Sequence, residues 1–407
     1  MFVSVARLVD PLGAGRAKLL IVGGSASGRG VVVSASYEAR AFGVRAGMPA
    51  ARAARLCPGA TFAPVPGKAI GEKHQQVRAV LEQWSPVVEG ASVDEFYLDL
   101  TGTEAVYRSE SLEQTARRIR EAVRKATGLA VSIGGGTNRL IAKMAAERAK
   151  PRAETGGNGV LIVAPGDEAE FLAGLALADI PGVGPRMQAT LKRYGLTEVR
   201  DALRIDAATF EHWLGPGMGR WLFERIRGRA SEVVHSRPES KSISHETTFS
   251  RDLVSDEAIE TRLLRLVTSL AAELRSDGLA TRCITVKLRD HDFRTRSAGR
   301  TVPEPLSTDR ALFDVARELL AGLRRRRRTA ARLVGVNFSA LSGTEGPIQL
   351  TLLRETRAPA ETSRDRRLAS AVDDISERLG RDAIRPARLV AEATRVARGA
   401  RPTKPDS

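Results

Sequence analysis

The sequence has 407 residues, 42% hydrophobic, 28% charged and only 4% aromatic, enough for two to four domains each with its own core. Its 64 Lys+Arg outnumber 48 Asp+Glu, a formal net charge of +16, and no apolar run is long enough to cross a bilayer. The first residues lack a signal peptide's apolar stretch, and Cys57 and Cys283 stand too far apart for a disulfide framework or structural zinc, so a cytoplasmic, non-membrane protein is expected.

The positive charge is clustered. Residues 1–65 hold 8 basic and 2 acidic side chains, residues 240–341 hold 19 and 13, and residues 151–235 hold 10 and 11. The first two stretches carry +6 each and supply 12 of the 16 net charges, which favours a surface for a long polyanion over an evenly solvated basic exterior.

In chain order, residues 19–23 and 31–35 alternate apolar and small side chains around a Gly/Ser turn and predict two strands. Helical spacing follows at 37–42, at 49–56 and, over a longer run, at 68–84. Residues 87–91 and 96–100 predict a β-hairpin whose turn is Ser92-Val93-Asp94-Glu95. An amphipathic helix at 112–127, a strand at 130–134 and a helix at 138–149 complete an α+β core, with helices on one face of an antiparallel sheet. Gly134-Gly135-Gly136 lacks a following Gly-Lys-Ser/Thr and reads as a tight turn, not a phosphate loop. After a polar stretch at 151–159 come a strand at 160–163, helices throughout 167–230 and a linker near 237–240. Residues 242–341 predict a second α+β domain: strand, helix 257–276, strands 283–289 and 294–302, helix 308–325, strand 333–340. Residues 342–407 show little periodicity before 366–379 and are expected to be mostly flexible.

The strongest chemical signal is the hairpin turn. Adjacent carboxylates, Asp94 and Glu95, repel each other and gain nothing from packing. Two acids alone read as a solvated turn; the apolar flanks on both sides place this pair at a sheet edge, where a cation relieves the repulsion. Hard oxygen ligands suit Mg²⁺, which takes one or two carboxylates plus substrate phosphates, and two such ions clamp the oxygens of a phosphoryl transfer. The five histidines show no ligand spacing and receive no role.

Ser92-Val93-Asp94-Glu95-Phe96-Tyr97-Leu98-Asp99 resembles the palm motif of the Y family of translesion DNA polymerases, its DNA polymerase IV group in particular. Ser34–Val44 resembles the fingers motif, Ser132–Lys143 with Ala149-Lys150-Pro151 the palm segment that closes on the triphosphate, and Ile180-Pro181-Gly182-Val183-Gly184 the thumb's helix-hairpin-helix. The resemblance runs from residue 1 to about 341. It implies a multidomain right hand: palm at 1–12 and 67–163 with its first strand missing, fingers at 13–66 and thumb at 164–235. A linker at 236–241, a little finger at 242–341 and a tail at 342–407 follow. It implies catalysis and metal binding by Asp94 and Glu95 with two Mg²⁺ ions. Tyr37, Arg40, Ser34 and Lys150 would contact the deoxynucleoside triphosphate, and Phe2 would exclude the ribose 2′-hydroxyl. Primer-template DNA would lie on Gly182, Gly184 and on Arg294, Arg296 and Arg300, read with Lys287 and Arg289 as one basic sheet face. Gln349-Leu350-Thr351-Leu352-Leu353 resembles the peptide by which such polymerases bind a sliding clamp, and this chain is expected to be a monomer.

Family members begin with a strand bearing Asp-x-Asp-x-Phe-Phe, whose first Asp is a third metal ligand, and Met1–Val5 matches only its end. Asp10 matches a later loop. The expectations are a native start upstream, exposed edges beside the absent strand, and weak or no polymerisation by the chain as given. A non-catalytic adaptor of the same fold in a mutagenic repair complex is the alternative. A nucleotide cyclase on a related palm is disfavoured by the helix-hairpin-helix and the basic second domain.

Overall fold

A computed structural model describes every residue except 104, 108–109, 152–155, 236–239, 344–360, 381–382 and 391–407. Gln349, Leu350, Leu352 and Leu353 lie outside the described residues. The chain divides into two units, Met1–Pro238 and Glu239–Ser407.

The first unit opens with α1 (Phe2–Val9), which buries Val5 and Ala6 and was not among the predicted elements. A small sheet follows, made of β1 (Leu20–Gly23), β2 (Val32–Ala35) and β3 (Thr61–Ala63), with α2 (Tyr37–Ala41) and α3 (Ala50–Leu56) between β2 and β3. β1 lies centrally, antiparallel to β2 and parallel to β3. Ser36 starts α2: its hydroxyl accepts the Ala39 N–H at 3.3 Å and donates to the Lys18 carbonyl at 2.9 Å, fastening the helix to β1.

Next come α4 (Gly67–Leu81), β4 (Val87–Ser92), β5 (Glu95–Asp99), α5 (Leu112–Thr127), β6 (Ile133–Gly135), α6 (Arg139–Ala149) and β7 (Val160–Ile162). A capping box between Ser111 and Gln114 starts α5, and Gly128, in the left-handed region at φ 72°, ends it. Its buried residues, Ala116, Ile119 and Val123 among them, recur at three and four positions and pack on Ile70, Val77 and Leu81 of α4. Each large apolar side chain fully buried here contributes about 1.5–3 kcal/mol.

The antiparallel sheet expected in this region is divided. β4 pairs antiparallel with β5, β6 pairs parallel with β7, and among the described residues no ladder joins β5 to β6. The three glycines also differ from expectation. Gly134 lies within β6, and a Cβ there would meet the Ala146 nitrogen at 2.0 Å and the Ala142 carbonyl oxygen at 2.3 Å. Close approach of β6 to α6, rather than a turn, explains the glycine.

Helices continue as α7 (Glu168–Ala173), α8 (Pro185–Arg193), α9 (Val199–Ala202), α10 (Ala207–Leu214) and α11 (Pro216–Arg225) around a core including Leu172, Ile180, Leu191, Phe210 and Leu222. Asn138 ties this bundle to the strands: its carbonyl oxygen caps α6 through Leu140 and Ile141, and its amide donates to the Gly228 carbonyl at 2.8 Å.

The second unit contains β8 (Ser242–Leu253), α12 (Asp256–Ser276), β9 (Leu279–Asp290), β10 (Thr295–Leu306), α13 (Asp309–Arg326) and β11 (Ala331–Gly343). The antiparallel sheet has the order β10-β9-β11-β8. One face packs on α12 and α13 through Leu263, Val267, Ile284, Val286, Leu312 and Val336. A further helix, α14 (Ser363–Leu379), belongs to this unit and covers the periodic stretch 366–379. It is held by charge more than by apolar burial. Asp373 takes both arms of Arg275 at 2.6 and 2.8 Å, Asp365 faces Arg310 at 3.3 Å, and only Ala369 of its apolar residues is buried.

Candidate active site and nucleic-acid interface

The β4–β5 hairpin presents the two carboxylates differently. Asp94 is exposed in the turn, where the Ser92 hydroxyl donates to it at 3.0 Å; Glu95 is the first residue of β5. Glu95 forms an ion pair with Lys143 of α6, and the Tyr97 hydroxyl donates to it at 3.3 Å. Burial and the nearby Glu95 charge push the Tyr97 phenol above its ordinary pKa. Behind Tyr97, the Arg139 guanidinium lies 4.5 Å from the ring centroid and bonds the buried Glu89 at 2.7 Å. Glu89 also accepts the His235 N–H at 2.9 Å, so the strand before the acid turn is braced on both carboxylate oxygens.

His74 was given no role from the sequence. Its ring stacks on Phe96 at 4.8 Å, and Nδ1 lies 2.9 Å from the Val93 carbonyl oxygen inside the turn. The available signal was its place on the face of α4 that carries Ile70 and Val77, turned toward the hairpin.

The other expected site residues converge from three segments. Arg40 of α2 donates from Nε to the Ala35 carbonyl at 3.0 Å and from Nη2 to the Ser34 hydroxyl at 3.5 Å, and its guanidinium lies 5.7 Å from the Tyr37 ring centroid. Lys150 stands at the end of α6 in an ion pair with Glu147. The Met1 ammonium reports their proximity. Burial lowers its pKa, Asp94 opposes the shift, and Lys150 and Arg40 add to it. Phe2 lines the same cavity as Asp94, Glu95, Tyr37, Arg40 and Lys150, a space of about 1990 Å³. Asp10 faces elsewhere: its carboxylate accepts the Gly13 and Ala14 N–H groups at 2.9 and 2.8 Å, which lowers its pKa.

The donor chemistry suits a hard divalent cation, with two carboxylates at one bend and an arginine and a lysine lining the same cavity. Among the described residues no cluster of three or more His, Cys, Asp or Glu side chains forms a fuller cage.

In the helical bundle, Gly182 has φ +102°, and a Cβ there would meet the Trp221 ring at 2.6 Å. Gly184 precedes α8 with Pro185 at its first position and no side-chain cap. Backbone N–H groups at such a start suit a phosphate oxygen.

The basic sheet face requires correction. Arg296 pairs with Leu288 and Arg300 with Ile284, both fully buried, so these arginines point to the helical side. Arg296 bonds the buried Asp290 at 2.9 and 3.2 Å, and Arg300 reaches Glu318 of α13 at 2.7 Å. Arg294 is exposed but lies in the turn before β10. The opposite face is built from the other parity: Thr295, Ser297, Gly299 and Thr301 on β10 beside Arg289, Lys287, Thr285 and Cys283 on β9. Lys287 reaches Glu246 at 2.7 Å across Gly335, and Arg289 bonds the Thr295 hydroxyl at 2.8 Å. This is a surface of small hydroxyl residues with two cations. The arginine run is likewise structural in part: Arg324, 5% exposed, pairs with Asp256 at 2.5 Å, and Arg327 pairs with Asp290 and Asp292 at 2.8 Å each.

Comparison with known proteins agrees with this layout. The impB/mucB/samB family model matches residues 1–147, and the impB/mucB/samB family C-terminal domain matches 240–352. A DNA polymerase IV of Dehalococcoides mccartyi (strain BAV1) is 34% identical over 387 residues, 95% of this chain and 94% of the relative. The DNA polymerase IV of Alkalilimnicola ehrlichii is 36% identical over 80% of this chain and 89% of its own. Among solved structures, a Y-family DNA polymerase chimera of Dbh and Dpo4 superposes with a TM-score of 0.71 at 25% identity, covering 83% of this chain and 96% of that one. The insertion ternary complex of Dbh DNA polymerase gives 0.58 at 26% identity, with 83% and 95% covered.

Proposed function

Since the chain belongs to the Y family of translesion DNA polymerases, in the DNA polymerase IV group, we propose that it extends a primer 3′ end on a DNA template by nucleotidyl transfer at the Asp94–Glu95 turn. The observation that carries this reading is that Asp94, Glu95, Arg40 and Lys150 line one cavity: acids for a cation and two bases for a triphosphate, drawn from three separate segments.

Asp94 and Glu95 would hold Mg²⁺, two ions in all with substrate phosphates as further ligands, and bound Mg²⁺ supplies stabilisation of the charge that develops as the 3′-hydroxyl attacks the α-phosphate and pyrophosphate leaves. Arg40, anchored by the Ala35 carbonyl, offers a preset fork of donors to phosphate oxygens. Lys150 would add a mobile charge in the same cavity, and Tyr37 would extend the surface that receives the nucleotide. Lys143 neutralises Glu95 in the absence of a cation and keeps the side chain at the turn. Phe2, which lines the same cavity, would meet the sugar with its ring. The hydroxyl-rich sheet face, with Lys287 and Arg289, would take the duplex backbone without reading bases. We place sliding-clamp contact at residues 349–353 on their sequence, and assign the protein to the cytoplasm as a monomer.

Primer extension with Mg²⁺ tests the reading. Whatever extension of a primed template is measured, for the chain itself or with the family's first palm strand fused ahead of Met1, the Asp94→Ala substitution should abolish it; extension that survives the substitution would sink the mechanism. A second reading, a non-catalytic adaptor, is favoured by one observation, the two-carboxylate donor set with no third acid beside it among the described residues. An adaptor would bind primed template and extend it with neither chain.

A further inference from the structure

α14 is amphipathic, yet it docks on the second unit with its charged side. Glu361, just ahead of it, accepts the Thr308 N–H at 2.5 Å and ties the chain to the start of α13, which has no side-chain cap of its own. Asp373 with Arg275 and Asp365 with Arg310 hold the turns that follow, and only Ala369 of the apolar residues is buried. The apolar side chains that an ordinary surface helix turns inward are left outside. Leu368 is 63% exposed, Ile375 37% and Leu379 74%, with Val372 half-buried among them.

These four recur at intervals of four, three and four residues, the spacing that lines up a seam between two packed helices. At about 100° per residue, the seam runs beside the docked side with its Asp365, Ala369 and Asp373, so the body of the second unit closes one flank. Arg364, Arg367 and Arg378 fall along the other flank, and the nearest acid, Asp374, lies beyond Arg367. All three arginines are exposed, and none has an ion pair among the described residues. Arg366, on the docked side, is by contrast paired with Glu361 at 3.2 Å. The open flank is therefore purely cationic.

We propose that the outer seam of α14 is a docking surface for an acidic amphipathic helix of another protein. The occupant lays apolar side chains between Leu368, Val372, Ile375 and Leu379 and sets carboxylates against Arg364, Arg367 and Arg378. Because α14 is already folded and anchored, binding does not have to order it. Charge disfavours two other occupants. A second copy brings the same arginine row against its own, and residues 391–407 of this chain hold four cations against two acids. The surface is read by binding and not by turnover, so it stands or falls separately from the polymerase reading.

The test uses the full chain and a fluorescein-labelled peptide of three Leu-Ala-Ala-Leu-Glu-Ala-Glu repeats, followed by anisotropy. The peptide should bind, and Leu368→Ser together with Leu379→Ser should weaken binding by at least about tenfold. Both leucines are more than half exposed, so the urea midpoint of the second unit should stay in place. Arg364→Glu, Arg367→Glu and Arg378→Glu combined should abolish binding of this peptide and create binding of its counterpart with lysine for glutamate. No binding at about 1 mM peptide would remove the docking surface. Binding that the serine substitutions leave unchanged would be charge attraction alone and would overturn the proposal equally. Self-association of the chain, or capture by anionic phospholipid vesicles, that those substitutions abolish would give the seam to a second copy or a membrane surface, against the acidic helix.

Discussion

At the end of β9, Asp290 is fully buried and takes hydrogen bonds from Arg296 and Arg327. At the β4–β5 turn, Asp94 is exposed and its nearest donor is the neutral Ser92 hydroxyl. The same side chain thus stands in two settings. A carboxylate locked by two guanidiniums is removed from solvent and fixes the junction of β9, β10 and α13; an exposed carboxylate with a neutral donor has lone pairs open, as the proposed cation site requires. Arginines divide in parallel. Arg296 holds backbone carbonyls and the buried Asp290, and Arg324 holds backbone carbonyls and the half-buried Asp256, whereas Arg40 is anchored through Nε to a backbone carbonyl and lines the cavity.

Substituting the two acids separates these roles. Asp94→Ala should lower primer extension on the order of 10³-fold, with unfolding unchanged within about 0.5 kcal/mol; a large loss of stability would give Asp94 a structural part and erase the contrast. Asp290→Ala should do the reverse. It strands two guanidiniums against a buried acceptor position and should cost the second unit about 3–5 kcal/mol, read from its urea transition. A shift near zero would mean that water enters and the junction is not locked.

A smaller effect sharpens the assignment of sheet faces. Replacing Lys287 and Arg289 with alanine together should weaken primed-template binding and reduce the salt dependence of affinity by roughly one counterion per lost phosphate contact. Arg300→Ala, on the helical side, should leave that slope unaltered. Equal slopes for both variants would break the parity argument.

Much of this was legible in advance for physical reasons. The hairpin, α2 and α5 depend on local patterns: alternation around a polar turn, a serine cap, apolar residues at three and four positions. The motif residues of the fingers and palm kept their order, so Arg40 and Lys150 could be expected beside the acid turn, and both line its cavity. The arginines of β10 failed at a different level. Arg296 and Arg300 do share a face, as their even spacing requires, but which face is buried depends on the partner strand, and Leu288 and Ile284 decide it. The divided sheet was illegible for a related reason, since a missing ladder is a property of neighbours. Periodicity at 366–379 did mark α14, but its docking through Asp373 and Asp365 leaves no apolar signal.

The smallest expected effect comes from Asp292, which stands in the same junction as Asp290 but at the surface. Its carboxylate is bonded by Arg327 at 2.8 Å and by the Arg294 N–H at 3.2 Å, which together lower its pKa from 3.8 to about 2, Arg327 contributing most. A depressed acid pKa adds stability above the ordinary value, and that addition is lost as pH falls through the folded value. Asp292→Asn should therefore lower the urea midpoint of the second unit at pH 6 by a modest amount, since exposed pairs contribute little. The gap between the two proteins should hold down to about pH 4 and close toward about pH 2, where the native carboxyl is itself half protonated. A gap that stays constant through this window would place the contribution of Asp292 in the shape of its turn, leaving Asp290 alone as the charge that binds the arginines.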